Sequence, residues 1–295
     1  MTEPESDPFA HTRMTLAEHL NELRVRLFKG FAAVFAVFCV GLAFQGELVD
    51  FAKQPYTRAA EMLESYWLAE AEEAVEADPD SWPEYFQDGY PDIQISRRQA
   101  PDLIGIKTGE GFFFGLKVVF YVSLLAGGPI LLWQLWQFVA AGLYSNERRM
   151  VYAYFPVSVL MLAGGVSFGF FLMVPYAIYF LNQNDFTVMQ VTADYYMTFL
   201  TGLCMAFGVV FQLPLVLTVL GRAGVVTAQS LGRIRGHFLI GAFVFAAILT
   251  PPDPVTQSML GVPLVVLYEV GILGVRIWGR PPTTTDLVEG EGQAA

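Results

Sequence analysis

One apolar stretch decides what kind of protein this chain can form. From Met150 to Gln183 it contains no aspartate, glutamate, lysine, arginine or histidine. A helix needs only about 20 apolar residues to cross the hydrocarbon core of a bilayer, so this stretch is long enough to span. Only 15% of all residues are charged, whereas a soluble domain has about 25%. The sequence therefore predicts an all-α polytopic membrane protein.

The apolar runs predict six transmembrane helices. They lie at about residues 27–44, 113–139, 150–174, 196–220, 238–249 and 259–275, with Pro129 in the middle of the second. The last two runs are short. A helix over 238–249 would rise only about 18 Å, against a hydrocarbon core of about 30 Å. We expect it to recruit flanking residues or to thin the bilayer locally.

The charge distribution predicts the division of the chain. Almost all of the formal net charge of −11 lies between residues 46 and 112. We expect a disordered cytoplasmic leader at 1–14, a membrane domain at 15–278 and a cytoplasmic tail at 279–295. The membrane domain carries an acidic extracytoplasmic insert at about 61–101, interpreted as a solvated surface segment.

Basic residues in the short connections predict the orientation. Lysine and arginine mark the cytoplasmic side of a membrane protein. They occur before the first span, after the second and fourth spans and after the last, but not in the short loops after the third and fifth. The residues concerned are Arg13, Arg24, Arg26, Lys29, Arg148, Arg149, Arg222, Arg233, Arg235, Arg276 and Arg280. Both termini are therefore predicted to be cytoplasmic.

Several function classes find no support in the sequence. There is no basic stripe interleaved with aromatic residues, as nucleic-acid binding would require. A Walker loop, an H-E-x-x-H motif and a dinucleotide fingerprint are absent. His19 and Glu22 lie one turn apart, but no further histidine or cysteine ligand follows nearby. We expect neither an enzyme nor a bound metal or cofactor.

Ionisable residues at the predicted membrane boundaries are the first candidates for function, because such groups are costly there. Glu22 precedes the first span, and Glu147 lies between the second and third spans, on the same predicted side. Each has a structural alternative, a pair with Arg26 for Glu22 and a pair with Arg148 or Arg149 for Glu147. Two carboxylates on one face could instead receive two guanidinium groups.

Polar residues in and beside the later spans are the second group of candidates. Gln212, in the fourth span, must either bond a neighbouring helix or line a wet cavity. Asp253 and Gln257 stand between the fifth and sixth spans, where ordinary turn chemistry is the alternative.

Six segments, in this order, resemble the TatC family, the large subunit of the twin-arginine protein translocase. They are H-L-N-E-L-R-V-R-L at His19–Leu27, P-I-L-L-W-Q-L-W-Q-F at Pro129–Phe138, G-L-Y-S-N-E-R-R at Gly142–Arg149, M-A-F-G-V-V-F-Q-L-P at Met205–Pro214, L-T-P-P-D-P-V-T-Q at Leu249–Gln257 and P-L-V-V-L-Y-E-V-G from Pro263. Each segment alone is weak evidence for this family, but the ordered set over about residues 15–278 is specific to it.

The resemblance implies a glove-like, concave arrangement of the six helices and a receptor for Arg-Arg signal peptides of folded precursors. It implies that Glu22 and Glu147 receive the paired arginines, that Arg24 and Arg148 shape the site, and that Phe138 packs near it. It assigns contact with small single-span partners of the TatA and TatB type to Gln212, and importance for transport to Pro55, Pro129, Asp253 and Gln257. Export would be driven by the proton gradient across a bacterial inner membrane, within a larger homo-oligomeric complex.

The chain departs from the family pattern in two places. Members often have glutamate where this chain has Gln212, which argues against a role that needs charge there. The outer loop at about 61–101 is longer than usual. The alternative function is a small-solute secondary transporter, which would need ionisable groups or broken helices near the bilayer midplane. In spans two to four, only Gln212 and Lys117 are of that kind.

Overall fold

The computed structural model describes residues 16–77, 103, 109–141, 145–183, 192–250 and 253–279, which form helices and contain no β-strand. In chain order the helices are α1 (Leu16–Gly41), α2 (Gln45–Ala77), α3 (Glu110–Ala126), α4 (Gly128–Ala141), α5 (Ser145–Phe168), α6 (Val174–Gln183), α7 (Ala193–Val210), α8 (Leu213–Arg222), α9 (Ala228–Arg233), α10 (Arg235–Leu249) and α11 (Pro254–Trp278). A 3₁₀ turn, Leu42–Phe44, joins α1 to α2, and a π-helical turn, Gly169–Met173, joins α5 to α6.

Four helical stretches are long and apolar enough to cross a bilayer. They are Leu20–Tyr66, Tyr152–Asn182, Ala193–Arg222 and Pro254–Trp278. The pair of α3 and α4 makes a fifth if it counts as one span with a bend of 44°. Helix α10 is apolar but shorter than these. The predicted all-α, multi-pass architecture is confirmed, and the count of six spans stays a prediction.

The last two spans differ in length, although both were predicted to be short. Helix α10 has 15 residues and rises about 22 Å, which agrees with the prediction. Helix α11 has 25 residues, or about 37 Å, so the prediction of a short last helix is wrong. The apolar run begins only at Met259, but the helix begins earlier, at Pro254, and ends at Trp278.

Helix α2 continues the first span into the acidic segment. Its 33 residues include Pro55, which cannot donate to the carbonyl one turn earlier and crowds that turn. In the same turn, the Ala52 carbonyl accepts a hydrogen bond of 2.6 Å from the hydroxyl of Tyr196, a residue of α7 that is buried. The largest cluster of buried hydrophobic residues includes this region and packs α2, α3, α6 and α7 together with α10, α11 and the π-helical turn. The leader, most of the acidic insert and the tail lie outside the described residues.

The bend between α3 and α4 has a local cause. A Cβ atom on Gly127 would lie 2.7 Å from Val34 Cγ2 and 2.9 Å from the Ser123 carbonyl oxygen, so only glycine allows α1 to approach so closely. Pro129 follows as the second residue of α4, where its missing N–H costs the helix nothing. The sequence predicts Pro129 in the middle of the second span. In the structure it lies at the start of the second half of a broken helix.

Candidate functional site

Helices α1 and α4 pack against each other in opposite directions. Residues of α1 at intervals of four form the contact, since Gly30 faces Leu131 and Val34 faces Gly127. A Cβ atom on Gly30 would lie 2.6 Å from Leu131 Cδ2, so the glycine permits the close approach. One turn before Gly30, the same stripe brings Arg26 to the C-terminal end of α4.

Arg26 lies between an acid of its own helix and an amide of α4. Its Nε donates to Glu22 Oε1 over 3.0 Å and its Nη2 donates to the same oxygen over 2.5 Å. Its Nη1 donates to Gln137 Oε1. The local pair of Glu22 with Arg26, one of the two alternatives left open by the sequence, is therefore present.

The second oxygen of Glu22 is left without a donor. Glu22 Oε2 has almost no accessible surface and no hydrogen-bond partner among the described residues. A buried acceptor without a partner costs about 1–3 kcal/mol, and more if it is charged. The pair with Arg26 therefore satisfies one oxygen of this carboxylate and leaves the other oxygen without a donor.

The other residues predicted for this site lie at the same end of the helices. Arg24 is exposed and makes no hydrogen bond or ion pair within the described part of the chain. Phe138 follows Gln137 on α4 and is half-buried. Glu147 and Arg148 belong to the first turn of α5, which begins four residues after α4 ends. Their side chains lie outside the described residues, so the alternative pairs of Glu147 stay untested.

Gln212 stands at the break between α7 and α8 and is bonded in both directions to α5. Ser158 Oγ donates to Gln212 Oε1 over 2.9 Å, and Gln212 Nε2 donates to the Ser158 carbonyl oxygen over 2.9 Å. Ser158 is fully buried. Of the two alternatives, the hydrogen bond to a neighbouring helix is the one observed.

Asp253 and Gln257 hold the junction of α10 and α11. Asp253 is the N-cap of α11, because its Oδ2 accepts from the Thr256 backbone N–H over 2.7 Å. This bond holds the pKa of the Asp253 carboxyl below its ordinary value. Gln257 Nε2 donates to the Phe243 carbonyl oxygen of α10 over 3.0 Å. For Asp253 the structural alternative is therefore the one observed, because its side chain caps the turn that begins α11.

The Asp253 cap should make the stability of the wild type depend on pH. The carboxyl has a lowered pKa in the folded state, so its contribution is present above its unfolded pKa of about 3.9 and is lost as pH falls through the folded value. We expect Asp253→Ala to lower the free energy of unfolding by about 1 kcal/mol at neutral pH. Thermal unfolding in detergent between pH 7 and pH 3 measures this.

A second cap provides the matched control for Asp253. Thr227 caps α9 by accepting from the Ser230 backbone N–H over 3.1 Å, and its hydroxyl does not titrate in this range. Thr227→Ala should lower stability by a similar amount at every pH. Equal pH profiles for the wild type and Asp253→Ala would contradict the assignment of Asp253 as a titrating cap.

Four contacts at or near these sites could not be predicted from local sequence. The partners are the amide of Gln137, the hydroxyl groups of Tyr196 and Ser158, and the backbone carbonyl of Phe243. The signal available for Gln137 is a polar residue in a mainly apolar run, and Gln134 gives the same signal. Within the described residues, no group of three or more His, Cys, Asp and Glu side chains could hold a metal ion.

A G-x-S-x-G pattern occurs at Gly165–Gly169, but its setting does not favour a hydrolase. In such enzymes the serine lies on a sharp turn between a strand and a helix. Here the pattern runs through the end of α5 into the π-helical turn. The described residues provide no strand before Ser167, so we assign it no chemistry.

Comparison with known proteins places the chain in a family. A family model described as Sec-independent protein translocase protein (TatC) matches residues 18–263, from α1 into α11. The chain belongs to the TatC family. The Desulforapulum autotrophicum TatC is 32% identical over 94% of this chain and 87% of its own length. The Aquifex aeolicus TatC is 30% identical over 88% of this chain and 93% of its own length.

A solved structure agrees with the TatC assignment. A crystal structure of the twin-arginine translocase receptor TatC is 28% identical and has a TM-score of 0.68, covering 89% of this chain and all of that one. The chain is therefore a TatC subunit of the Sec-independent protein translocase, a transport protein that crosses the membrane several times. The family resemblance found in the sequence is confirmed.

Proposed function

We propose that this TatC chain is the signal-peptide receptor and core subunit of a twin-arginine translocase. It binds the paired arginines of the signal peptides of folded precursors, and export is driven by the proton gradient. It works in a bacterial inner membrane, with both termini cytoplasmic, beside small single-span subunits of the TatA and TatB type and further copies of itself. It catalyses no chemical reaction.

The unpartnered oxygen of Glu22 carries the proposal. A guanidinium group presents several N–H donors in a planar fork that matches a carboxylate, and Glu22 Oε2 is an acceptor that lacks a donor among the described residues. Glu147 starts the neighbouring helix at the same end, so a second acid is available for the second arginine. Arg24 and Arg148 lie within two residues of these acids in the sequence, and Phe138 follows Gln137 on α4.

The remaining residues implicated by the family resemblance support transport at a distance from this site. Gln212 is proposed to face the single-span partners, and Asp253 and Gln257 to serve transport by holding the outer junction of α10 and α11. Pro55 lies inside α2 and Pro129 at the start of the second half of the broken span.

The alternative of a small-solute transporter is favoured by the broken helices, at the bend between α3 and α4 and at the break between α7 and α8, but not by its polar residues. Its two candidate polar residues are engaged within the chain, since Gln212 bonds Ser158 and Lys117 pairs with Asp194.

Binding of a fluorescent Arg-Arg signal peptide to the purified protein tests the proposal, with a Lys-Lys peptide for comparison. We expect about tenfold tighter binding of the Arg-Arg peptide, because a bidentate, charge-assisted contact is lost with lysine. Glu22→Ala and Glu147→Ala should each weaken binding and reduce this preference. Equal binding of both peptides by the wild type and by both variants would contradict the proposal.

A further inference from the structure

We propose that Arg26 sets the selectivity of this site for arginine over lysine, by acting as an internal competitor for Glu22. The inference rests on the proposed function, because it concerns how the same carboxylate chooses its ligand. Arg26 is the wrong charge to bind a cationic peptide, yet it is the described side chain that contacts Glu22 most closely.

In its contact with Glu22, Arg26 takes the place that a bound arginine ligand would take. Both donor atoms that Arg26 directs at Glu22 reach the same oxygen, Oε1. Gln137 holds the third donor from α4, so the guanidinium is already oriented and loses little freedom by remaining there. One oxygen of Glu22 is therefore bonded to Arg26, and the other, Oε2, lacks a donor but is covered by the surrounding residues.

The internal pair is weak enough to be displaced. Glu22 and Arg26 are four residues apart on one helix, and each side chain is 22% exposed. Ion pairs between neighbouring turns of one helix contribute little to stability where they keep contact with solvent. The contact of Arg26 with Gln137 does not depend on Glu22, so a displaced Arg26 keeps a partner.

Displacement favours arginine as the ligand. An arginine that takes the place of Arg26 can bond both oxygens of Glu22 through two donors of its fork, including Oε2, which Arg26 leaves without a donor. A lysine ammonium is a compact point charge without that paired geometry, and it would have to share the carboxylate with the Arg26 guanidinium at a cost in repulsion. Arg26 thus lowers the affinity of the site for both cations, and lowers it more for lysine than for arginine.

Removal of the competitor tests this inference. In full-length protein purified in detergent, Arg26→Gln should bind the Lys-Lys peptide about tenfold more tightly and the Arg-Arg peptide only slightly more tightly, so the preference for arginine shrinks. Arg26→Lys keeps the charge and should give an intermediate preference, which protects the test if the glutamine variant folds poorly. Lys29→Gln is the matched control, because Lys29 is exposed on the same helix and its removal changes the charge equally.

The outcomes separate this inference from the proposed function. A wild-type preference for arginine that is lost in Glu22→Gln but unchanged in Arg26→Gln and Arg26→Lys would overturn the role of Arg26 alone. An equal change in Arg26→Gln and Lys29→Gln would also overturn it, because general electrostatics would then explain the effect. If the wild type and Glu22→Gln bind both peptides equally, the proposed function itself fails.

Discussion

Exchange of Gln212 for glutamate is expected to destabilise the protein by about 3 kcal/mol once the new carboxyl is ionised. The amide donates to the Ser158 carbonyl oxygen and accepts from the Ser158 hydroxyl. An ionised carboxylate can accept but cannot donate, so it would face a buried carbonyl oxygen with no proton between them. A protonated carboxyl could reproduce both bonds.

The stability of Gln212→Glu should therefore fall as pH rises, in the opposite direction to the effect at Asp253. Thermal unfolding in detergent from pH 4 to pH 8 measures the change. Gln212→Met is the control, since it loses both bonds at every pH and should show a constant loss. A Gln212→Glu protein as stable as the wild type at pH 8 would show that the reciprocal bond to Ser158 does not form.

Replacement of Gly165 by alanine is expected to cost about 2 kcal/mol, because it would separate α5 from α7. A Cβ atom on Gly165 would lie 2.9 Å from the carbonyl carbon of Phe207 and 2.9 Å from Phe211 Cβ. The backbone of α7 cannot turn away as a flexible side chain could. Small residues allow such close packing of helices within a membrane.

The neighbouring glycine supplies the matched control for Gly165. A Cβ atom on Gly164 would come no closer than 3.9 Å to the Phe211 ring, which is ordinary contact. Gly164→Ala should leave stability unchanged or raise it by up to about 1 kcal/mol, through better helix propensity. Similar unfolding temperatures for the two variants would contradict the close crossing of α5 and α7.

The features that the sequence predicts well depend on composition and on local order. The uncharged run from Met150 to Gln183 is sufficient to indicate a membrane helix, and the ordered segments indicate the family. The need of Gln212 for a partner also follows from the cost of an unsatisfied amide in an apolar setting. Ser158 as that partner does not follow, because it depends on how α5 and α7 cross.

The features that the sequence misses depend on pairing between distant segments or on helix ends. Gln137 reaches Arg26 only because α1 and α4 pack in opposite directions with Gly30 between them. The length of α11 was underestimated because polar residues such as Thr256 and Gln257 interrupt the apolar count without ending the helix. The Asp253 cap starts that helix before the apolar run begins.

A double-mutant cycle between Glu22 and the signal peptide tests the central claim most directly. Dissociation constants would be measured for the wild type and Glu22→Gln, each with the Arg-Arg peptide and with a peptide in which one arginine is lysine. We predict that this exchange weakens wild-type binding by about tenfold, or roughly 1.4 kcal/mol, for one of the two arginines, and has little effect on Glu22→Gln. The same loss in both proteins, at either arginine, would show that Glu22 does not receive the arginine.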